Sequence, residues 1–254
     1  MRISELDRFF VDLAPDVRKA STCDGLKLGN PDGEIAGIAT THVATVSVIR
    51  QAIELNCNLI ITHEDVLYDG APGSSADPVS RRKLAILREH KVAVYRLRDL
   101  WDGFETYGTV DSWAAQLGLG KPVKADGIRR IYEVPTQSLL EFSRRVKDMM
   151  RLPTVRVAGD MQNSVSRIGL GAGEHGGTQD LAACAAMGAD CFVAGESTEW
   201  LAARYAADAG ISMIVAGHTE SENPGMENLA KFIKERFPAL HVEFLDAGNV
   251  YVYV

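Results

Sequence analysis

The chain has 254 residues, of which 46% are hydrophobic and 24% are charged, and its net charge is −7. This composition is typical of a globular protein, and the acidic balance argues against direct binding of nucleic acid. No apolar run reaches the roughly 20 residues needed to cross a bilayer and the start lacks the pattern of a secretory signal, so we expect a cytoplasmic protein with no membrane partner.

The first half of the chain alternates between helical and strand-like segments. Apolar spacing and turn signals predict helices at Ile3–Ala14, Val43–Leu55, Ser80–His90 and Asp111–Leu117, and strands after the turn at Cys23, at Ile35–Thr40, at Asn58–Thr62 and at Val92–Leu97. Thr41 is a candidate cap for the second helix. The stretch Lys121–Gly127 reads as a linker, so we predict an N-terminal β/α lobe at 1–120 and a C-terminal β/α lobe at 121–254, with no inserted domain.

The second half continues the alternation. Strands are predicted at Ile128–Val134, Thr154–Ala158, Ser166–Leu170, Cys191–Ala194, Ile211–Ala216, His241–Leu245 and Val250–Tyr253, and helices at Ser138–Met150, Gln179–Met187, Thr198–Ala209 and Met226–Phe237. An internal echo places Glu54–Glu64 over Ala186–Glu196 without a gap. The sequence therefore predicts an α/β fold of two similar β/α lobes with a site in the cleft between them.

Two predicted strands end in a histidine followed by acids. The run N-L-I-I-T-H-E-D ends at His63, Glu64 and Asp65, and a second strand leads to His218 with Glu220 and Glu222 close behind. Parallel sheets place ligands at the carboxyl ends of their strands. Imidazole and carboxylate donors from separate elements suit Zn, Fe or Mn. We therefore predict a metal site with the ligands His63, Glu64, Asp102, His218 and Glu222. The alternative is that both histidines only end their strands and bond to backbone.

Three motifs carry a family resemblance. The runs L-I-I-T-H-E-D, A-G-H-T-E-S-E-N-P-G-M-E-N-L and D-G-L-K-L-G resemble the Nif-three-like family of dinuclear-metal proteins, which includes proteins named GTP cyclohydrolase I type 2-like. The likeness covers nearly the whole chain. It implies a Nif-three-like fold, one or two divalent metal ions per chain and a homo-oligomer, by resemblance a ring-shaped homohexamer.

The resemblance transfers to this chain residue by residue. His63 matches the first histidine of the family pattern T-H-H-P, and His218 and Glu222 match its late histidine and glutamate. Glu64 and Asp65 replace the second histidine and the proline. Asp102 is the counterpart of the family's aspartate, with Asp99 and Glu105 as rivals.

We expect a metal-dependent hydrolase that acts on a nucleotide-like or phosphorylated small molecule through metal-bound hydroxide, with Glu64 or Glu220 as proton acceptor. One alternative is a non-enzymatic metal-binding or scaffold protein. A second is a nicotinamide-dinucleotide-binding protein, because Gly171–Gly176 fits G-x-G-x-x-G and Glu196 follows Gly176 by 20 residues.

Overall fold

A computed structural model describes residues 1–14, 22–69 and 75–254. The chain forms two compact units. Unit 1 comprises Met1–Asp102 and Met226–Gly248, and unit 2 comprises Gly103–Gly225 and Asn249–Val254. Within the described ranges, no helix combines the length and the apolar character that a membrane span requires.

Unit 1 is built on a five-stranded sheet with the strand order β1-β4-β3-β2-β11. The strands are β1 Gly25–Leu28, β2 Gly37–Thr41, β3 Leu59–Thr62, β4 Ala93–Arg96 and β11 His241–Phe244. The last four run parallel to one another, and β1 is antiparallel to β4. All residues of β2, β3 and β4 are buried, as expected for parallel strands that are covered on both faces.

Parallel register brings three loops of unit 1 to one edge of this sheet. Thr41 pairs with Thr62, and Thr62 pairs with Arg96. The residues that follow these partners, including His42 and His63, therefore leave the sheet side by side.

The helices of unit 1 pack apolar faces on the sheet. They are α1 Ile3–Leu13, α2 Val46–Glu54, α3 Pro78–Glu89 and the short α4 Asp99–Asp102. The predicted cap of α2 at Thr41 is wrong, since Thr41 lies in β2 and the hydroxyl of Thr45 accepts the hydrogen bond from Val48 N.

Unit 2 contains a six-stranded sheet with the order β5-β6-β8-β9-β10-β7. The strands are β5 Lys124–Asp126, β6 Arg129–Ser138, β7 Arg156–Ala158, β8 Ser164–Gly171, β9 Cys191–Ala194 and β10 Ser212–Val215. β8, β9 and β10 are parallel, whereas β5, β6 and β7 pair antiparallel to their neighbours. The helices that begin in this unit are α5 Thr109–Gln116, α6 Leu139–Met149, α7 Thr178–Ala186, α8 Arg204–Asp208 and α9 His218–Arg236, with a π-helical turn at Glu199–Ala203.

The α/β architecture predicted from the sequence is confirmed by these two sheets, but four local predictions are wrong. The helix predicted from Met226 begins at His218, because its first two turns are polar and carry no apolar periodicity. The predicted linker contains β5, an edge strand whose residues are all exposed. The helix predicted at Thr198–Ala209 is a π-helical turn followed by α8. Val250–Tyr253 forms no strand, because β propensity alone does not supply a hydrogen-bonded neighbour.

The compact units also differ from the predicted division at residues 120 and 121. The chain passes from unit 1 to unit 2 after Asp102 and returns to unit 1 at Met226. The reason is that β11 pairs with β2, far back in the sequence, and linker-like composition at Lys121–Gly127 carries no information about such a pairing.

Candidate metal centre

His63 is the centre of the polar cluster in unit 1. It follows β3 directly, and its side chain is fully buried. Its Nε2 lies 2.9 Å from Oδ1 of Asp102, and its Nδ1 lies 3.6 Å from Oε1 of Glu64. The imidazole of His63 therefore sits between two carboxylates.

Asp102 is held in place by the short helix α4. The carboxylate of Asp24 accepts hydrogen bonds from the backbone N–H groups of Arg98, Asp99 and Leu100, at 2.6 to 3.0 Å. These are N–H groups at the start of a helix, which lack partners within the helix itself. Asp24 thus caps α4, and the last residue of that helix is Asp102.

The geometry separates Asp102 from its two rivals. Oδ2 of Asp99 accepts hydrogen bonds from the hydroxyl of Thr22 at 2.7 Å and from Cys23 N at 2.9 Å. Glu105 is exposed and belongs to unit 2. Among the three acids, Asp102 is the one that contacts His63.

Two arginines hold the acids at positions 64 and 65. Arg96, which is buried, donates to the carbonyl of His63 at 3.0 Å, to Oδ2 of Asp65 at 2.6 Å and to Oε2 of Glu64 at 3.3 Å. Nε of Arg98 lies 3.9 Å from Oε1 of Glu64 and from Oδ2 of Asp102. The negative charges of Glu64 and Asp65 are therefore balanced by Arg96, at the end of the neighbouring strand β4.

His42 is a buried member of the same edge that the sequence reasoning did not select. Its carbonyl accepts hydrogen bonds from Glu64 N at 2.9 Å and from the hydroxyl of Thr62 at 3.2 Å. One of its ring nitrogens lies within 4.8 Å of a carboxylate oxygen of Glu64. The signal in the sequence was its position immediately after a buried strand parallel to β3.

Unit 2 contains a second histidine between two carboxylates. His218 is the first residue of α9. Its Nε2 lies 3.2 Å from Oε1 of Glu222, one turn further along the helix, and its Nδ1 lies 3.0 Å from Oε2 of Glu196. The Glu222 side chain is 2% exposed, and that of Glu196 is 55% exposed.

Glu196 is a residue that the sequence reasoning noted but did not place in the site. It falls where Glu64 does in the internal echo, two residues after β9. In unit 1 the imidazole of His63 faces Glu64, and in unit 2 the imidazole of His218 faces Glu196. The echo was thus the available signal for this acid.

The acids around His218 change its protonation. Burial lowers the pKa of the imidazole, but hydrogen bonds and negative charge, first from Glu222 and then from Glu196, outweigh this effect and raise the pKa to about 9. His218 is therefore a cation at neutral pH in the absence of another positive ion. A divalent metal would take the place of this proton.

The glycine-rich loop Gly171–Gly177 packs directly on the His218 cluster. Gly173 has a φ of +56°, and a Cβ on it would clash with the Glu222 carboxylate and lie 3.1 Å from Nε2 of His218. Gly173 N donates to the hydroxyl of Ser221 at 2.9 Å, and that hydroxyl donates to the carbonyl of His218 at 2.7 Å. The loop thereby fixes the first turn of α9.

This packing explains the glycines of the G-x-G-x-x-G run without a nucleotide. A Cβ on Gly171 would clash with the carbonyl of His175, and a Cβ on Gly176 would clash with the carbonyl of Glu196. These glycines therefore allow two backbone segments of the chain to lie close together. Glu196, which the dinucleotide pattern assigns to a ribose, contacts His218.

Glu220 does not contact His218 through any described hydrogen bond or ion pair. Its Oε1 accepts a hydrogen bond from the side chain of Asn249 at 2.6 Å, so one carboxylate oxygen is engaged by the C-terminal segment. Glu220 and His218 both line a cavity of about 420 Å³ in unit 2.

Comparison with known proteins connects this geometry to a family. The family model for DUF34/NIF3 (NGG1p interacting factor 3) matches residues 1–249. The chain belongs to the DUF34/NIF3 family. The Nif-three-like resemblance read from the sequence motifs is confirmed by this match.

Two bacterial proteins are similar to this NIF3 chain over nearly its whole length. A protein of Clostridium perfringens named GTP cyclohydrolase 1 type 2 homolog is 26% identical, and the match covers 96% of this chain and 95% of that protein. A protein of Pseudomonas aeruginosa with the same name is 27% identical, over 97% of this chain and 96% of that protein.

Solved structures support the fold. A Bacillus cereus protein related to NIF3 superposes with a TM-score of 0.86 at 14% identity, and the match covers 100% of this chain and 99% of that protein. The α/β fold of two sheets is therefore the NIF3 fold. Within this fold, unit 1 carries His42 and Glu64, and unit 2 carries His218 and Glu222, as residues that could hold a metal ion.

Proposed function

We propose that this NIF3 protein is a divalent-metal-dependent hydrolase that acts on a nucleotide-like or phosphorylated small molecule. The observation that supports it best is that His63 and His218, in different units, each lie between two carboxylates. Clusters of imidazole and carboxylate groups in mainly buried positions are the common protein environment of Zn, Fe and Mn.

The donor set fits such an ion. The proposed ligands are His63, Glu64 and Asp102 in unit 1 and His218 and Glu222 in unit 2. When one nitrogen of an imidazole binds a metal, the other usually donates to a carboxylate, and both histidines have an acid on each side of the ring. A bound divalent ion polarises a phosphoryl oxygen and lowers the pKa of water.

The chain itself supplies the proton acceptors. Glu64 is partly buried, and Arg96 and Arg98 lie within 3.9 Å of its carboxylate and stabilise its negative charge. Glu220 is the second acceptor, and its Oε1 is oriented by Asn249. A carboxylate that is positioned within reach of substrate or water can remove a proton during hydrolysis.

Metal analysis tests this function. Purified protein is expected to contain about one to two transition-metal ions per chain, and His218→Ala is expected to lose them while it keeps its circular dichroism spectrum. The matched control is His241→Ala, because His241 is exposed and its described ion pair is with Glu243, which is not a proposed ligand. Phosphoester hydrolysis that responds to added Mn or Zn, and disappears in His218→Ala only, supports the hydrolase.

A second candidate is a metal-binding protein without turnover. It is favoured by the contacts of Arg96 and Arg98 with Glu64, because these cations compete with a metal for the carboxylate. A metal-loaded protein that hydrolyses no phosphoester would support this candidate and contradict the hydrolase.

A further inference from the structure

Two neighbouring cavities in unit 2 share a wall at the edge of the sheet. The first, of about 420 Å³, contains His218 and the C-terminal segment Asn249–Tyr253. The second, of about 330 Å³, lies against the π-helical turn and α8. Arg156 and Val215, which are paired residues of β7 and β10, line both cavities.

Arg156 and Arg204 are exposed cations at these cavities. Arg156 lines both cavities, and Arg204 lines the second. Neither side chain makes a hydrogen bond or an ion pair with any residue that the structure describes. Guanidinium groups present several N–H donors in a planar fork that matches phosphate. Glu199 lines the second cavity together with both arginines, but no described ion pair joins it to either of them. A phosphoryl group in that cavity would therefore meet two guanidinium groups.

The first cavity also offers two aromatic rings. Tyr251 and Tyr253 line it although they are 74% and 54% exposed. Asn249 holds this segment in place, since its amide donates to Glu220 at 2.6 Å and its carbonyl oxygen accepts from Tyr251 N at 2.8 Å. Exposed tyrosine rings at the wall of a cavity gain contact area when a flat ring stacks on them.

We propose that these cavities form the substrate subsite, which binds a phosphorylated molecule with a planar ring, the phosphoryl group on Arg156 and Arg204 and the ring on Tyr251 and Tyr253. A volume of about 420 Å³ is within the range of small-molecule sites. The proposal rests on the proposed function only in that the ligand is the substrate of the hydrolase, because His218 lies in the same cavity.

Binding of defined probes tests the subsite. Guanosine and adenosine 5′-monophosphates, the two nucleosides and inorganic phosphate are titrated by calorimetry into the protein as purified. Both nucleotides are expected to bind more tightly than the nucleosides or phosphate. In the double variant Arg156→Gln/Arg204→Gln, the affinity for the nucleotides is expected to fall about tenfold or more, and the affinity for the nucleosides is expected to stay the same.

Tyr251 and Tyr253 are expected to bind the planar ring of the ligand. The double variant Tyr251→Ala/Tyr253→Ala is expected to bind nucleotides and nucleosides more weakly by a similar factor, about fivefold or more. For the arginine variant, Arg144→Gln is the control for loss of a surface guanidinium group, because Arg144 is exposed and lines neither cavity. Nucleotide affinity that is unchanged in the arginine double variant overturns the proposal, as does a wild-type protein that binds neither nucleotide.

Metal content, measured on the same samples, separates the two proposals. Loss of nucleotide affinity in the arginine variant with full metal content supports the subsite. Wild-type protein that holds metal and binds no nucleotide overturns the subsite alone. Protein that binds nucleotide through Arg156 and Arg204 and holds no metal overturns the proposed function and leaves the subsite supported.

Discussion

Gly173 places a backbone, rather than a side chain, next to the acid that we propose as a metal ligand. We predict that Gly173→Ala lowers metal affinity about tenfold or more, because the new Cβ clashes with the Glu222 carboxylate and the φ of +56° is unfavourable for alanine. Gly177→Ala is the control in the same loop, since a Cβ on Gly177 meets nothing within 4 Å. Competition titration with a metal indicator measures both variants, and equal affinities would contradict the role of Gly173.

Lys83 is a fully buried cation outside the proposed site. Its Nζ donates to the carbonyl of Val66 at 2.9 Å and lies 3.9 Å from the ring centre of Tyr68. Burial lowers the pKa of Lys83 from 10.5 to about 8, although the charge of Asp77 opposes the shift. The folded state therefore binds this proton more weakly than the unfolded state does.

This difference predicts a pH dependence of stability. Between pH 8 and pH 10.5 the side chain of Lys83 holds its proton in the unfolded state more than in the folded state. The contribution of Lys83 to the free energy of unfolding therefore rises with pH, by up to about 3 kcal/mol. Lys83→Met is expected to remove that rise, whereas the exposed Lys121→Met keeps it. Urea unfolding from pH 7 to pH 10 measures the effect, and parallel pH profiles of wild type and Lys83→Met would show that the residue does not cause it.

At the scale of single elements, α4 depends on one carboxylate. We predict that Asp24→Ala destabilises unit 1 by about 2 to 4 kcal/mol and reduces metal content, because three N–H groups lose their acceptor and Asp102 loses the helix that positions it. Asp32→Ala, at an exposed turn, serves as the control. Urea unfolding and elemental analysis test the pair. Normal metal content in Asp24→Ala would mean that the cap does not support Asp102.

Several elements and residues could be predicted from sequence because their signal is local. The apolar run at Leu59–Thr62 predicts a buried strand, and the structure places His63 directly after it. The spacing of His218 and Glu222 suits one helical face. Asp102 could not be separated from Asp99 by sequence, because the choice depends on how Asp24, 75 residues before Asp99, caps α4.

Other features escaped prediction because they depend on neighbours that are distant in sequence. The start of α9 is polar and has no apolar periodicity that would predict a helix. Its first turn is fixed by the glycine loop that packs on it. The role of Glu196 depends on the contact of its carboxylate with His218. The parallel pairing of β11 with β2 joins residues about 200 positions apart.

For the whole molecule, the sequence predicts that His63 and His218 serve one metal centre. On that prediction, His63→Ala and His218→Ala each lower metal content to the same level, and the double variant lowers it no further. Elemental analysis of the three variants beside His241→Ala checks this. Losses that add in the double variant would indicate independent ions. The ring hexamer implied by the family resemblance stays a prediction, which light scattering of the purified protein tests.

The contacts of Arg96 limit the substitutions that positions 64 and 65 can accept. Histidine and proline at positions 64 and 65 would remove both acids that pair with the Arg96 guanidinium, which is 8% exposed, and a buried charge that loses its partners destabilises the fold. This double substitution therefore requires a coordinated change at position 96. A protein engineer who grafts T-H-H-P onto this scaffold has to replace the arginine in the same step.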